Sequence, residues 1–526
     1  MLQRILTVTL LSLVSYALAG EQSAPVPQLN TQTFWFANSF GGGKDNKWMQ
    51  LGVQDIFVFP DGRVVTNTGW DEAGRAIGFY KNADVLGSVK DYTALTGGVQ
   101  VTADDQFIFA LRAERKKLES DPFWFGVARY TLDGQPAKWD GGEGRVGNVL
   151  FLNSPKEKSN EWQSLAGVAL HNRELLLSEP LSRTIRVFAT ADMAAKREFK
   201  LMPETDTPGK MIVDKAGVLW IVQHDAGEGP FAKAGRIRAY SLDGKYQGRE
   251  ITDVEKPAAL ALDLAGRLLV CDGGKRQNIR RYDLAAKQPK LVDTFGQEGG
   301  VYGGKKPGEA APDKFAGPTG VGVDAAGNTC VATNGPGGGA KLIAFDPKGK
   351  HLWTLEGLEF VDGADLDPAD LTMAYTKDSA YKLDYAKRTG AGWQHAGWQH
   401  AAWTVDPFTY PNDPRLHVRQ EGPKVFRRNG SLFLACSFGD AWTAIYRFDG
   451  YVAVPAAMFS KQPSRDFPPK NPITDRAWMW VDKNADGDFQ ADEFDAIAER
   501  SLGVFRAQFV DDDGTYWLGE LNPAVV

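Results

Sequence analysis

Five segments of this chain share one pattern, an apolar residue, an Asp-x-x-Gly turn and then an apolar run. Four are full copies (213–222, 262–270, 323–331 and 510–518), and Phe59 to Val65 is a shorter one. Self-similarity of this kind marks one supersecondary unit stacked many times. Each Asp-x-x-Gly reads as a tight turn between two strands, because Asp caps its own turn and Gly supplies a left-handed backbone. Further on, Ile237 to Gly244 and Leu342 to Gly349 each read as a third strand ending in a second Asp/Gly turn. The expected fold is therefore all-β: a β-propeller of four-stranded antiparallel blades, with seven to nine repeat units. Weaker units begin near Gly98, Leu165, Gly363, Lys424 and Trp478. The last blade is incomplete in sequence, and the strand Thr33 to Ala37 is expected to complete it and close the ring, the alternative being a fragment.

The register of these units locates candidate site residues. Positions two to five beyond the turn glycines are mostly apolar on both parities, as in a strand sandwiched on both faces. The sixth turns polar at Thr68, Gln223, Asp272, Thr333 and Glu520, with Cys436 at the corresponding place after Gly430. Strand ends of a propeller gather on one face near the axis, so Gln223, His224, Asp225, Asp272, Thr333, Asn334 and Glu520 are the candidate ligand-binding residues. The alternative is polar strand ends turned to water.

Residues 482–493 fit the twelve-residue calcium loop D-x-[DN]-x-[DN]-G-x5-E. Asp482, Asn484 and Asp486 stand at oxygen-ligand positions, Asp488 offers its carbonyl, Glu493 both carboxylate oxygens, and Gly487 the sharp turn. The loop resembles the EF-hand family, although Arg476 to Val481 before it reads as a strand and only Asp492 to Arg500 as a helix. Bound Ca2+ with a structural role is expected, placed in the last blade, against the alternative of a metal-free Asp/Gly turn.

Phe315 to Asn328, and Pro257 to Asp263 with the turn and strand after it, resemble the NHL-repeat family over about residues 209–350. That resemblance implies a propeller and leaves function open. Glu421 to Val425 followed by Asn429 to Leu434 resembles the opening blade of gluconolactonase-type, regucalcin-like propellers. It implies Glu421 as a metal ligand at the axis, with Asp272, Asn334 and Glu520 as partners in metal-assisted lactone hydrolysis. In this chain the motif stands late and not in the first blade.

Residues 1–19 have the layout of a secretory leader: Arg4, an apolar run from Ile5, and Ala17-Leu18-Ala19. A secreted or periplasmic protein of residues 20–526 is expected, monomeric and without a membrane anchor. The net charge of −6 and the lack of a basic block argue against nucleic acid. Three cysteines, each in an apolar run, read as buried thiols. The tandem Trp393-Gln394-His395-Ala396-Gly397 and Trp398-Gln399-His400-Ala401-Ala402 reads either as an aromatic platform for a flat ligand or as Trp packed between blades. Gly299 to Lys306 lacks the Ser or Thr of a phosphate loop, and Gly335 to Ala340 matches a dinucleotide fingerprint in letters only. The leading functional expectation is a calcium-binding propeller that takes a small-molecule or glycan ligand, with a metal-dependent lactonase and a protein-interaction scaffold as alternatives.

Overall fold

The computed structural model describes residues 52–68, 77–89, 97–115, 123–139, 145–152, 165–225, 235–336, 338–357, 363–386, 397–418, 421–438, 442–461, 467–468, 473–497, 505–511 and 515–520. All belong to one compact unit, Phe36–Val526. The leader and the strand expected at Thr33 to Ala37 lie outside the described residues.

The repeated turns form by the chemistry of their aspartates. Asp214 Oδ1 accepts the N–H groups of Ala216 and Val218 at 2.9 Å each, and Oδ2 accepts the Trp220 indole N–H at 2.9 Å. Gly217 then takes φ +79°, which a side chain would oppose. Asp324 closes its turn the same way on Ala326 and Asn328. Each such turn joins the first two strands of a blade, and five of the six blades in residues 53–356 follow sequence order from first strand to last, while in the second, five-stranded blade Val149–Phe151 pairs ahead of Arg145–Val146.

Nine sheets are present among the described residues. In the first six, spanning residues 53–356, the inner strands are Val53–Val58, Gly97–Ala103, Gly167–His171, Thr207–Val213, Pro257–Leu262 and Pro318–Val323. Each packs on the next, and the sixth returns to the first. The chain forms a closed six-bladed β-propeller, carrying three further sheets. A separate apolar core fills each of the six gaps between blades. Side chains also stitch neighbouring strands: Gln100 donates to Met211 O and accepts from Val168 N, both at 2.9 Å, joining three blades. Thr319 Oγ1 donates to Val53 O at 2.7 Å and so ties the last blade to the first.

Sheets seven to nine span residues 365–403, 421–496 and 505–520 and lie outside this ring. Trp478 does not open a blade. Its strand, Trp478–Val481, is the fifth of the eighth sheet, because the Trp478 and Trp480 indoles are drawn into that sheet's core. Sheet seven docks on the propeller through Trp403, whose N–H donates to Gly308 O at 2.9 Å and whose ring packs with Val301 and Ala316. Gly335 is required there, since a Cβ would lie 2.1 Å from the Trp403 ring. Among the described residues no helix is long and apolar enough to cross a membrane.

Candidate functional site at the propeller axis

The six inner strands enclose a cavity of about 290 Å3 to which every blade contributes, through Gln54, Val99, Ala166, Lys210, Pro257 and Thr319 in turn. His224, Lys256 and Asn334 complete its polar lining. Lys210 reaches across the axis from the fourth blade: Nζ donates to Gln54 O at 2.6 Å and to Thr319 O at 3.2 Å, and stands 3.7 Å from Asp55 Oδ1. Asp55, behind the lining, also accepts the Val101 N–H at 3.1 Å. Burial pushes its carboxyl up to about 6 against the pull of Lys210, and burial holds the Lys210 ammonium below its ordinary value.

Asn334 carries an unmet demand. Its Nδ2 donates to Val53 O at 2.5 Å, and its buried Oδ1 has no partner among the described residues. Such an acceptor costs about 1–3 kcal/mol unless water or a ligand donates to it. Among the described residues the lining presents two ammonium groups, an imidazole and amides, and no carboxylate. That donor set suits an anion and offers a divalent cation too few oxygens.

Two of the sequence-predicted residues, His224 and Asn334, meet in this cavity. The others go elsewhere. Gln223 is fully buried, with Oε1 2.7 Å from the Tyr240 hydroxyl and Nε2 unpartnered. Thr333 lines a different cavity. Asp225 is exposed and pairs with Arg236. Asp272 does not reach solvent: it is 0% exposed and accepts the N–H groups of Glu255, Lys256 and Gly274 at 3.0–3.2 Å. Its role is to hold the loop entering the fifth blade. The second strand of the fifth blade ends between its neighbours, so its last polar residue is consumed by backbone groups there.

Glu421 begins the strand Glu421–Arg428 in sheet eight, outside the six-bladed ring, and so does not stand at the axis; its side chain lies outside the described residues. Glu520 ends the strand Tyr516–Glu520 of sheet nine, with its side chain likewise outside them. Sequence reasoning missed Lys210, although a lone charge in the strand Thr207–Val213 was a signal, and it missed Gln54 and Lys256.

No protein-family model matches the chain, and no curated protein does. Solved structures similar to it include the nidogen/laminin complex, at 14% identity over 58% of this chain and 92% of that one, with a TM-score of 0.35. A gluconolactonase from Xanthomonas campestris is similar at 15% identity over 58% of this chain and 94% of its own, TM-score 0.31. Streptogramin B lyase is similar at 12% over 66% and 92%, TM-score 0.33. Likeness this low says nothing of activity, and the propeller assignment rests on the ring of sheets itself.

The calcium-type loop lies in sheet eight, one sheet before the last. Its backbone follows the motif: Gly487 takes φ +72°, Asp482 accepts the Gly487 N–H at 3.1 Å, and Asp486 accepts that of Asp488 at 2.8 Å. Its oxygens are otherwise engaged. Arg447 donates to Asp482 at 2.6 Å, Asn412 to the Asp488 carboxylate at 2.7 Å, Asn484 to Asp486 at 2.9 Å, and Glu493 accepts the Trp480 indole and the Lys483 N–H at 2.9 Å each. The residues fit calcium in kind and order, yet among the described residues no three His, Cys, Asp or Glu gather as a metal site. The loop closes in a short 3-10 turn, Ala491–Glu493, which leads to a strand, Phe494–Ala496, in place of the expected helix. Phe494 packs on Trp478, and pairing with that strand replaces helix formation.

Proposed function

We propose that this chain is an exported binding protein that takes a small anionic ligand, a sugar acid in chemical class, in the axial cavity of its six-bladed propeller. The observation that carries this reading is the convergence of six blades on a lining with two ammonium groups and no carboxylate among the described residues. A cavity of about 290 Å3 is near the lower end of the small-molecule range. In this reading Lys256, on the exposed side, meets the ligand carboxylate, Lys210 adds positive potential, and the unpartnered Asn334 Oδ1 accepts a ligand hydroxyl. Binding needs no metal at the axis. The lactonase alternative gains no support there, because Glu421 belongs to sheet eight.

Calcium in the 482–493 loop is part of the same proposal, as a stabiliser of sheet eight. Its support is the ordered ligand series and the left-handed Gly487.

The test is calorimetric titration with gluconate, glucuronate and galacturonate beside glucose. At least one acid binds and glucose does not, and Lys256→Glu weakens the acid by about tenfold or more through charge reversal. Equal binding of glucose, or an acid affinity unchanged in Lys256→Glu, would remove the basis of the reading.

A further inference from the structure

A larger cavity lies away from the axis. It measures about 720 Å3 and opens between the outer strands of blade six and sheet seven. The second copy of the tandem repeat builds one wall of it: Trp398, Gln399 and His400 lie on the strand Trp398–Trp403. Trp398 and Trp403 are 4% and 3% exposed, so the indoles are fixed in packing. Tyr385, 45% exposed, lines the cavity too and offers a face that a sugar ring can stack on.

The opposite wall is polar and largely locked. Lys341 pairs with Glu356 at 2.8 Å and approaches His400 Nδ1 at 2.9 Å. An ammonium only donates, so Nδ1 accepts and the imidazole proton sits on Nε2, 3.3 Å from Ser379 Oγ. Burial and Lys341 both hold His400 well below its ordinary value, which agrees with a neutral ring. Asp384 is likewise occupied, accepting the Ala386 N–H at 3.1 Å.

Two lining groups make no hydrogen bond or ion pair among the described residues, although the charge of Lys382 is felt by the Asp370 carboxylate. Thr333 is 1% exposed and its hydroxyl has no partner among the described residues, and the same holds for the exposed Lys382 ammonium. The anions of the wall are therefore satisfied, while an exposed ammonium and the Thr333 hydroxyl are held by no hydrogen bond among the described residues. Stacking face, free hydroxyl and free ammonium together describe an acidic carbohydrate.

We infer that the cavity between blade six and sheet seven binds a uronate-containing oligosaccharide, with Lys382 meeting a carboxylate, Thr333 a ring hydroxyl and Tyr385 a pyranose face. This site is independent of the axial one.

Calorimetric titration of the full chain with tri-galacturonate, beside cellotriose as the neutral control, tests it. The acidic trimer binds and cellotriose does not; Lys382→Glu weakens the trimer by about tenfold or more, and the near-isosteric Thr333→Val by about fivefold. Lys382 is exposed, so its variant keeps the fold, which an unchanged melting temperature verifies. Excess gluconate, one of the acids offered to the axial cavity, leaves the trimer bound. Absence of trimer binding, equal binding of cellotriose, an unaltered affinity in Lys382→Glu, or displacement by gluconate each overturns the inference.

Discussion

Replacing Asp272 by Ala tests the claim that polar residues ending the second strands hold the ring together. The carboxylate is fully buried and accepts three backbone N–H groups, from Glu255 at 3.2 Å, Lys256 at 3.1 Å and Gly274 at 3.0 Å, with Arg276 at 3.4 Å. Alanine leaves all three donors without their acceptor. A buried donor left unpaired costs about 1–3 kcal/mol, and since Glu255 and Lys256 are exposed, water recovers part of two of the three. The expected loss is about 2–4 kcal/mol, well above the ordinary surface substitution of about 0.5 kcal/mol. Urea unfolding followed by tryptophan fluorescence reads it directly. A second consequence is specific to the axis: the Lys256 N–H loses its anchor, so sugar-acid affinity falls as well. Stability within about 0.5 kcal/mol of wild type, the surface value, would refute this account of Asp272 and return it to the solvent-facing role that its sequence position suggests.

Asp55 makes the ring sensitive to pH. Its carboxyl is raised to about 6 by burial, from the ordinary 3.8, so the folded chain holds a proton that the unfolded chain has released between those values. Stability from this group is complete below the lower value and is lost as pH rises through the upper one, by on the order of 3 kcal/mol. Asp55→Asn should therefore gain on wild type between about pH 4 and about pH 6.5 in unfolding free energy, and a pH-independent difference would contradict this. For the calcium loop, added Ca2+ should raise the melting temperature of chelator-treated protein, and Asp486→Ala should abolish the rise. Asp486 is the better probe than Glu493, whose carboxylate also anchors the Trp480 indole; no rise in wild type would leave the loop a metal-free turn.

Local chemistry was legible in the sequence and long-range closure was not. Asp214 and Gly217 specify their turn within a few residues, so the repeat announced the strands and the propeller. The ring closes between Thr319 and Val53, 266 residues apart, and nothing local to either says that the sixth blade returns to the first. The same limit applies at the site. His224 and Asn334 were found because strand ends have a fixed register, whereas Lys210 sits mid-strand and shows its role only once Gln54 and Thr319 meet it across the axis. Polarity at a strand end did not distinguish a ligand-facing group from a structural one: Asn334 keeps a buried oxygen free, while Asp272 spends both of its own on backbone.

The most direct test of the axial reading is a crystal structure of the full chain soaked with the tightest-binding sugar acid. The account places the ligand among the six inner strands, its carboxylate within about 3 Å of Lys256 Nζ and a hydroxyl within hydrogen-bond distance of Asn334 Oδ1. A ligand bound on the rim or in sheets seven to nine, with the axis holding water alone, would contradict it.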